Sequence, residues 1–457
     1  MKSITQIHQN DKIVSDSITH FFKKYKISSV LKSANAYKSK GVPILAIFQY
    51  LFSTIFTNRS MYMNMLMNTH SAGFAKDTVY RFLNSIHINW IRFTTLLSAR
   101  IISKSIENLT NENRVNVLII DDTMFERANS KKVELLAKVY DHAKRSYKYG
   151  FRLLTLGWSD GNTFLPVNSC LLSTANPKNR IREAKISDKR SIGYKRRMLS
   201  QTKATSVVLE LLQTANQAKI QASYVLFDTW FCSPSSLLSI KDIGYDVIAM
   251  AKKTSKMHYL YNGKMQPLTK IYKQNKKRRG RSRYLLSVEV IVQKDNKSIP
   301  ARVVYVRNKN KRKDYLCLIT TDMSITEDEI IRNYGKRWDI EVFFKVCKSY
   351  LKLSKECNSL SYDAMTAHTA IVFTRYMMLA IENRQEKDNR TLGEIFYYLS
   401  DEMSDITWIQ SFHLLMLVFK NTLTDKLSIT SEQIDSLMEA FIKALPKKLV
   451  ECLPLCS

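Results

Sequence analysis

VNVLIIDD (residues 115–122) and SYVLFD (residues 223–228) each carry an apolar, β-branched stretch into aspartate. Short runs of this kind, without polar alternation, read as strands buried on both faces. Between them, FRLLTLGWSDGNTFLPVNSCLLS (151–173) reads as a hairpin turning at Asp160-Gly161-Asn162, and SVVLELLQTANQAKI (206–220) as an amphipathic helix. A Ser-Pro-Ser-Ser helix start at 233–236 and a further strand, YDVIAMAKK (245–253), follow SYVLFD. Strands, a hairpin and then a β-α-β unit predict a mixed sheet with helices on its faces, an α+β / α/β class.

The texture changes on either side. Residues 1–112 predict a helical N-terminal DNA-binding region, with apolar residues at three and four spacing in ITHFFKKYKISSVL, 44–56 and WIRFTTLLSARIISKSI. Within it, AGFAKDTVYRFLNS predicts a helix capped by Asp77 and carrying Thr78, Tyr80, Arg81 and Asn84. That helix reads either as the second of a helix-turn-helix, with Arg81 directed at DNA, or as half of a plain helical hairpin. The polar segment ENLTNENR (107–114) reads as a linker, and the sheet core takes residues 113–253. Residues 254–322 predict a β-rich insertion with basic loops, KQNKKRRGRSR (273–283) and RNKNKRK (307–313). Residues 323–390 return to the helices of the core, and 391–457 to a helical C-terminal region; TAHTAIVFTRYMMLAI (366–381) and SFHLLMLVF (411–419) read as core helices.

Lys plus Arg outnumber Asp plus Glu by 71 to 40, a net charge of +31 over 457 residues. Such a charge repels itself unless a polyanion binds, and nucleic acid is the commonest one. An apolar fraction of 45% argues against disorder. The seven cysteines are odd in number, lie mostly in apolar runs and form no CxxC pair or Cys/His cluster, so reduced thiols are predicted and zinc is not. MKSITQIHQNDK has no signal-peptide core, and the longest apolar stretch (42–56) is short for a span and contains Gln49. The expectation is a cytoplasmic protein without a membrane partner.

ITEDEIIRNYGKRWDIEVFFKVCKSYLKL (325–353) places Tyr334, Arg337, Glu341 and Lys348 on one predicted helix. At about 100° per residue they share an arc of roughly 60°. A phenol, a guanidinium, a carboxylate and an ammonium on one stripe suit a site that holds metal and phosphate together. The Asp121-Asp122 pair and Asp228 end strand-like runs, where α/β sheets open into a crevice. Side chains alternate faces along a strand, so one of Asp121 and Asp122 faces the site. Two such aspartates with Glu341 form an all-oxygen set for two Mg²⁺ or Mn²⁺ ions. Taken singly, a strand-end Asp is also a turn former, and Arg337 or Lys348 also a surface ion-pair partner.

The pattern Tyr334-x2-Arg337-x3-Glu341-x6-Lys348 resembles the signature of IS4-type insertion-sequence transposases of bacteria, the Tn5/Tn10-like DDE group. The resemblance covers about 115–350 and implies an RNase H-like fold with a β-rich insertion between the second Asp and the Glu. It implies a catalytic, metal-binding triad of Asp122, chosen over Asp121 because Thr123 follows it, with Asp228 and Glu341. It also implies that Tyr334, Arg337 and Lys348 contact DNA phosphates. Trp230, in a stretch that departs from the family pattern, either packs in the core or stacks on a flipped base. The implied activity is cut-and-paste transposition: nicking at terminal inverted repeats of double-stranded DNA, a hairpin intermediate and joining to target DNA, by a homodimer pairing two ends. Its cellular place would be the bacterial cytoplasm, on the nucleoid when DNA-bound. A catalytically silent DNA-binding repressor and an RNase H-like nuclease without strand joining remain alternatives.

Overall fold

A computed structural model describes residues 18–55, 61, 73–110, 114–129, 131–141, 145–185, 188–278, 282–308, 314–382 and isolated positions at 384, 433, 436, 437 and 440. The chain divides into two units, residues 1–389 and 390–457. The C-terminal region expected at 391–457, with its core helix at 411–419, lies outside the described residues apart from the positions named. So does most of the basic loop at 307–313.

Helices α1 (Ile27–Ser33), α2 (Ile44–Ser53), α3 (Lys76–Leu83) and α4 (Trp90–Ile101) come first. Strands β1 (Val117–Glu126), β2 (Ala137–Asp141), β3 (Ser146–Ser159) and β4 (Phe164–Leu172) follow, then α5 (Ile192–Ser200), α6 (Ala204–Gln217), β5 (Tyr224–Phe227), α7 (Pro234–Ile243) and β6 (Asp246–Met250). The sheet runs β4-β3-β1-β5-β6, with β1, β5 and β6 mutually parallel and β3 antiparallel to both β1 and β4; β2 pairs with the first part of β3. This is the RNase H-like arrangement that the resemblance implied. The β3–β4 turn falls where the sequence placed it: Asp160 accepts hydrogen bonds from the Asn162 and Thr163 amides, and Gly161 takes a φ of 89° that favours glycine.

The insertion adds β7 (Tyr259–Tyr261), β8 (Lys264–Gln266), α8 (Leu268–Gln274), β9 (Tyr284–Lys294), β10 (Lys297–Arg307) and β11 (Tyr315–Thr320). It continues the same sheet, because β11 pairs antiparallel with β6 and β10 with β11. α9 (Glu327–Gly335), α10 (Trp338–Ser349) and α11 (Tyr362–Glu382) complete the described elements.

Side-chain alternation divides the core into two layers. Leu118, Ile120, Val225 and Phe227 join the cluster beneath α1–α4, α6 and α7. Val117, Ile119, Phe125 and Leu226 face the other way, onto Ile330, Ile340, Phe343 and Phe344 of α9 and α10. The helices of 1–112 therefore do not form a separate body. Their core is continuous with the sheet, Ser98 Oγ donates to the Pro166 carbonyl at 2.8 Å, and Asn168 Nδ2 donates to Thr95 Oγ1 at 3.0 Å.

α11 is long and apolar enough to cross a membrane by length and composition, yet most of it is buried in the core, as expected of 366–381. Arg375, buried on its inner side, donates to the Leu51 and Phe52 carbonyls at the end of α2 and to Glu356 at 2.6 Å. His368 lies in the same polar pocket, 3.8 Å from Glu356. Burial pushes its imidazole down to about 4 from an ordinary 6.5, despite Glu356. The unfolded chain takes up this proton near pH 6.5, and the folded chain resists it until about pH 4. Stability from this group is thus full above pH 6.5 and falls as pH drops toward 4. His368→Gln should flatten part of the decline in urea unfolding midpoint between pH 6.5 and pH 4.5; an unchanged slope would remove His368 as its source.

Candidate active site

β1 is longer than its sequence suggested. Asp121 and Asp122 do not end it, because pairing with β3 continues to Glu126. Pairing with β5 stops at Ile119 opposite Leu226. Beyond that point the sheet forks, and the two aspartates line the fork. Continuing the register two residues brings Asp121 level with Asp228, which directly follows β5. Alternation gives the same answer: Asp121 follows Val117 and Ile119 on the face covered by α10, and Asp228 follows Tyr224 and Leu226 on that face.

The expected choice of Asp122 is therefore corrected. Asp122 is on the opposite face, ion-paired with Arg152. Asp121 accepts a hydrogen bond from Arg337 at 2.8 Å, and the same guanidinium pairs with Glu341. Burial raises the Asp121 carboxyl to about 7; Arg337 opposes the rise, while Asp228 and Glu341 add to it by repulsion. Three acidic side chains thus act electrostatically on one another at one end of the sheet, with an arginine between two of them.

The predicted single helix is two. α9 ends at Gly335, α10 starts at Trp338, and the Lys336 and Arg337 amides bond three residues back, to Asn333 and Tyr334. This tightening aligns residues three apart, so Tyr334 stays beside Arg337. The Tyr334 hydroxyl is buried beside the Arg337 guanidinium, and burial holds its pKa well above the usual phenol value. Lys348 crosses to β1, its Nζ 2.5 Å from Thr123 Oγ1. Of the predicted stripe, Tyr334, Arg337 and Glu341 gather at the fork, while Lys348 marks a point farther along β1.

α10 is held in place by groups that sequence reasoning missed. Phe343 packs against Phe164, Phe373 and Tyr376, with ring centroids 5.0, 5.1 and 4.7 Å away. The buried Lys336 ammonium donates to the Val115 carbonyl, and burial lowers its pKa to about 7. Ser159 Oγ donates to Asp339 at 2.6 Å. Charged residues buried at the start of α10 were the available signal, but the sequence does not name their partners.

Trp230 is not in the core. It is 47% exposed, with the Arg152 guanidinium 4.9 Å and Lys252 Nζ 5.3 Å from its ring. The amide of Trp230 donates to Asp228 at 2.8 Å, which fixes the turn carrying both. Arg81 is exposed on α3, its Nε 3.2 Å from the Asp77 carbonyl of its own helix. Asp77 does not cap that helix: Ala75 is the cap residue, and Asp77 lies in the first turn, where a carboxylate suits the helix dipole. The stretch that would hold the first helix of a helix-turn-helix, within 56–72, lies largely outside the described residues, while Gly73 at the expected turn takes a φ of 67°.

A family profile described as DDE superfamily endonuclease matches residues 51–313, more than half of the chain. The chain belongs to that family. The match covers both strand-borne acids and the insertion up to residue 313 but ends before Glu341, which joins the site on geometry alone. No curated protein matches the chain.

Enzymes of this DDE superfamily use divalent metal ions. Asp121, Asp228 and Glu341 supply the hard oxygens such ions prefer, and a carboxyl raised to about 7 by burial, with two neighbouring acids adding to the rise, fits a place for positive charge. Among the described residues no three acidic, imidazole or thiol groups are close enough to share one ion, and Arg337 stands between two of these acids. The donor set fits metal by chemistry, and its spacing is that of an arginine-bridged state. Because Arg337 lowers the Asp121 pKa, Arg337→Gln should move the Asp121 titration upward in a ¹³C-carboxyl NMR experiment. A downward or absent shift would mean that the guanidinium does not bear on Asp121.

Proposed function

We propose that this endonuclease is a DDE transposase of the IS4 type, with Asp121, Asp228 and Glu341 as its metal-binding catalytic carboxylates. The observation that supports this most directly is that Asp228 and Glu341 both act electrostatically on Asp121, with Arg337 spanning Asp121 and Glu341. Two Mg²⁺ or Mn²⁺ ions, when bound, would supply an activated water or 3′-hydroxyl and stabilise the leaving oxygen of an in-line phosphoryl transfer. Arg337, released from its carboxylates, then pairs with a phosphate in bidentate fashion, and Tyr334 beside it offers its hydroxyl. Lys348 holds a neighbouring phosphate near Thr123. Trp230, exposed beside Asp228 between two cations, suits stacking on a base flipped out during hairpin formation. Arg81, exposed on α3, suits contact with DNA outside the cleft.

The substrate in this reading is double-stranded DNA at the element's terminal inverted repeats, then target DNA. The net charge of +31 supports binding to both. A homodimer pairing two ends, working in the cytoplasm on the nucleoid and away from membranes, completes the proposal.

The test is incubation of the full chain with DNA carrying the flanking repeats and Mg²⁺, with products resolved on a denaturing gel. Nicked, hairpin and joined products are expected. Hydrolysis without joining would leave an endonuclease, and binding without cleavage a repressor. Asp121→Asn, Asp228→Ala and Glu341→Ala should each abolish cleavage while end binding persists, and Asp122→Asn should still cleave. Cleavage by Asp121→Asn together with loss in Asp122→Asn would overturn the assignment. Lys348→Ala should lower the salt slope of DNA association by about one counterion; an unchanged slope would remove that phosphate contact.

A further inference from the structure

The β2–β3 hairpin carries residues that the proposed chemistry does not use. Val139 is buried on its inner face, while Tyr140 and Tyr147 are cross-strand partners on the outer face, 39% and 64% exposed. Their rings meet edge to face at 5.1 Å, and Lys138 Nζ sits 5.2 Å from the Tyr147 ring. A strand with one buried face ordinarily turns polar residues outward, so paired exposed phenols call for a ligand with an apolar face.

Tyr140 also forms one wall of a groove of about 600 Å³ that runs to the end of α10. Thr123, Met124, Arg152, Lys348 and Lys355 line it with Tyr140. Of the acids there, Asp122 is matched by Arg152 and Glu126 by Lys148 at 3.0 Å, while Asp141 stands at the rim beside Tyr140. Arg152, Lys348 and Lys355 place three cations along the groove beside the Tyr140 ring. Thr123, which lines the groove, lies two residues along β1 from Asp121, so the groove adjoins the carboxylates.

An aromatic wall facing several cations matches a nucleotide: a ring face for the base and ammonium or guanidinium groups for the phosphate. Paired bases show the groove only their edges, whereas stacking needs an exposed base face. We propose that this groove holds an unpaired DNA strand next to the cutting site, with a base stacked on Tyr140, Tyr147 bracing that ring, and Arg152, Lys348 and Lys355 on the phosphates. The proposal rests on the DNA-cutting role of Asp121, Asp228 and Glu341, and it adds single-stranded DNA as a ligand and the hairpin as its platform.

The test is fluorescence anisotropy of the full-length chain in EDTA, with labelled dodecamer oligothymidylate and, separately, a duplex of equal length. Tyr140→Ala should weaken oligothymidylate binding by about tenfold and duplex binding by no more than about twofold, with Tyr140→Phe binding as wild type. Tyr147→Ala should weaken oligothymidylate binding in the same direction. Wild-type affinity in Tyr140→Ala, a loss in Tyr140→Phe equal to that in Tyr140→Ala, or equal losses on single strand and duplex would each overturn it. Glu341→Ala separates the two claims. Its oligothymidylate binding reports on the groove alone and should match wild type, whereas its cutting of repeat DNA reports on the carboxylates alone.

Discussion

One guanidinium ties the site together. Arg337 bonds to Asp121 on the sheet and to Glu341 on the helix above it, so two acids that repel each other are held at the same fork. The contact needs β1 to present its odd-numbered residues to α10, and it needs α9 and α10 to join through a tightened turn that keeps Arg337 over the strand. Burial, with repulsion from Asp228 and Glu341, disfavours charge on Asp121, and Arg337 opposes that. The site is therefore built to carry positive charge, and in this state an arginine supplies it.

The supports of that contact flank Arg337 at the start of α10 and reach to its middle. Lys336 reaches a carbonyl at the start of β1, Asp339 accepts from Ser159 beside the β3–β4 turn, and Phe343 sits among three aromatic rings. Buried charges of this sort add little net stability, but the loss of one partner strands the other in a dry interior. They define the angle at which Glu341 meets the sheet.

Much of the fold was legible because buried parallel strands write themselves as unbroken apolar runs. The order of hairpin, β-α-β unit and antiparallel insertion could be read directly, and the insertion's place in the same sheet follows from β11 lying against β6. The choice between Asp121 and Asp122 was misread for a physical reason. Both faces of β1 are covered, so no polar alternation marks which side a residue takes. A usable signal was present: Val117-Leu-Ile-Ile-Asp121 and Tyr224-Val-Leu-Phe-Asp228 each place four apolar residues before the acid, as strands in parallel register would. Trp230 stayed open between core packing and stacking because an aromatic next to a strand end is ordinarily core, and only the turn set by Asp228 shows it exposed. The break between α9 and α10 was hidden because a tightened turn preserves three-residue spacing.

The joint between α11 and the N-terminal helices has an evolutionary side. Arg375 grips the last carbonyls of α2 from within the core of the nuclease sheet, and Ser98 and Thr95 of α4 bond to β4. A chain assembled in this way cannot exchange its first hundred residues for another module, as proteins with linker-joined domains do. Substitution is open to the outer surface of those helices, while their inner surface stays bound to the requirements of the sheet.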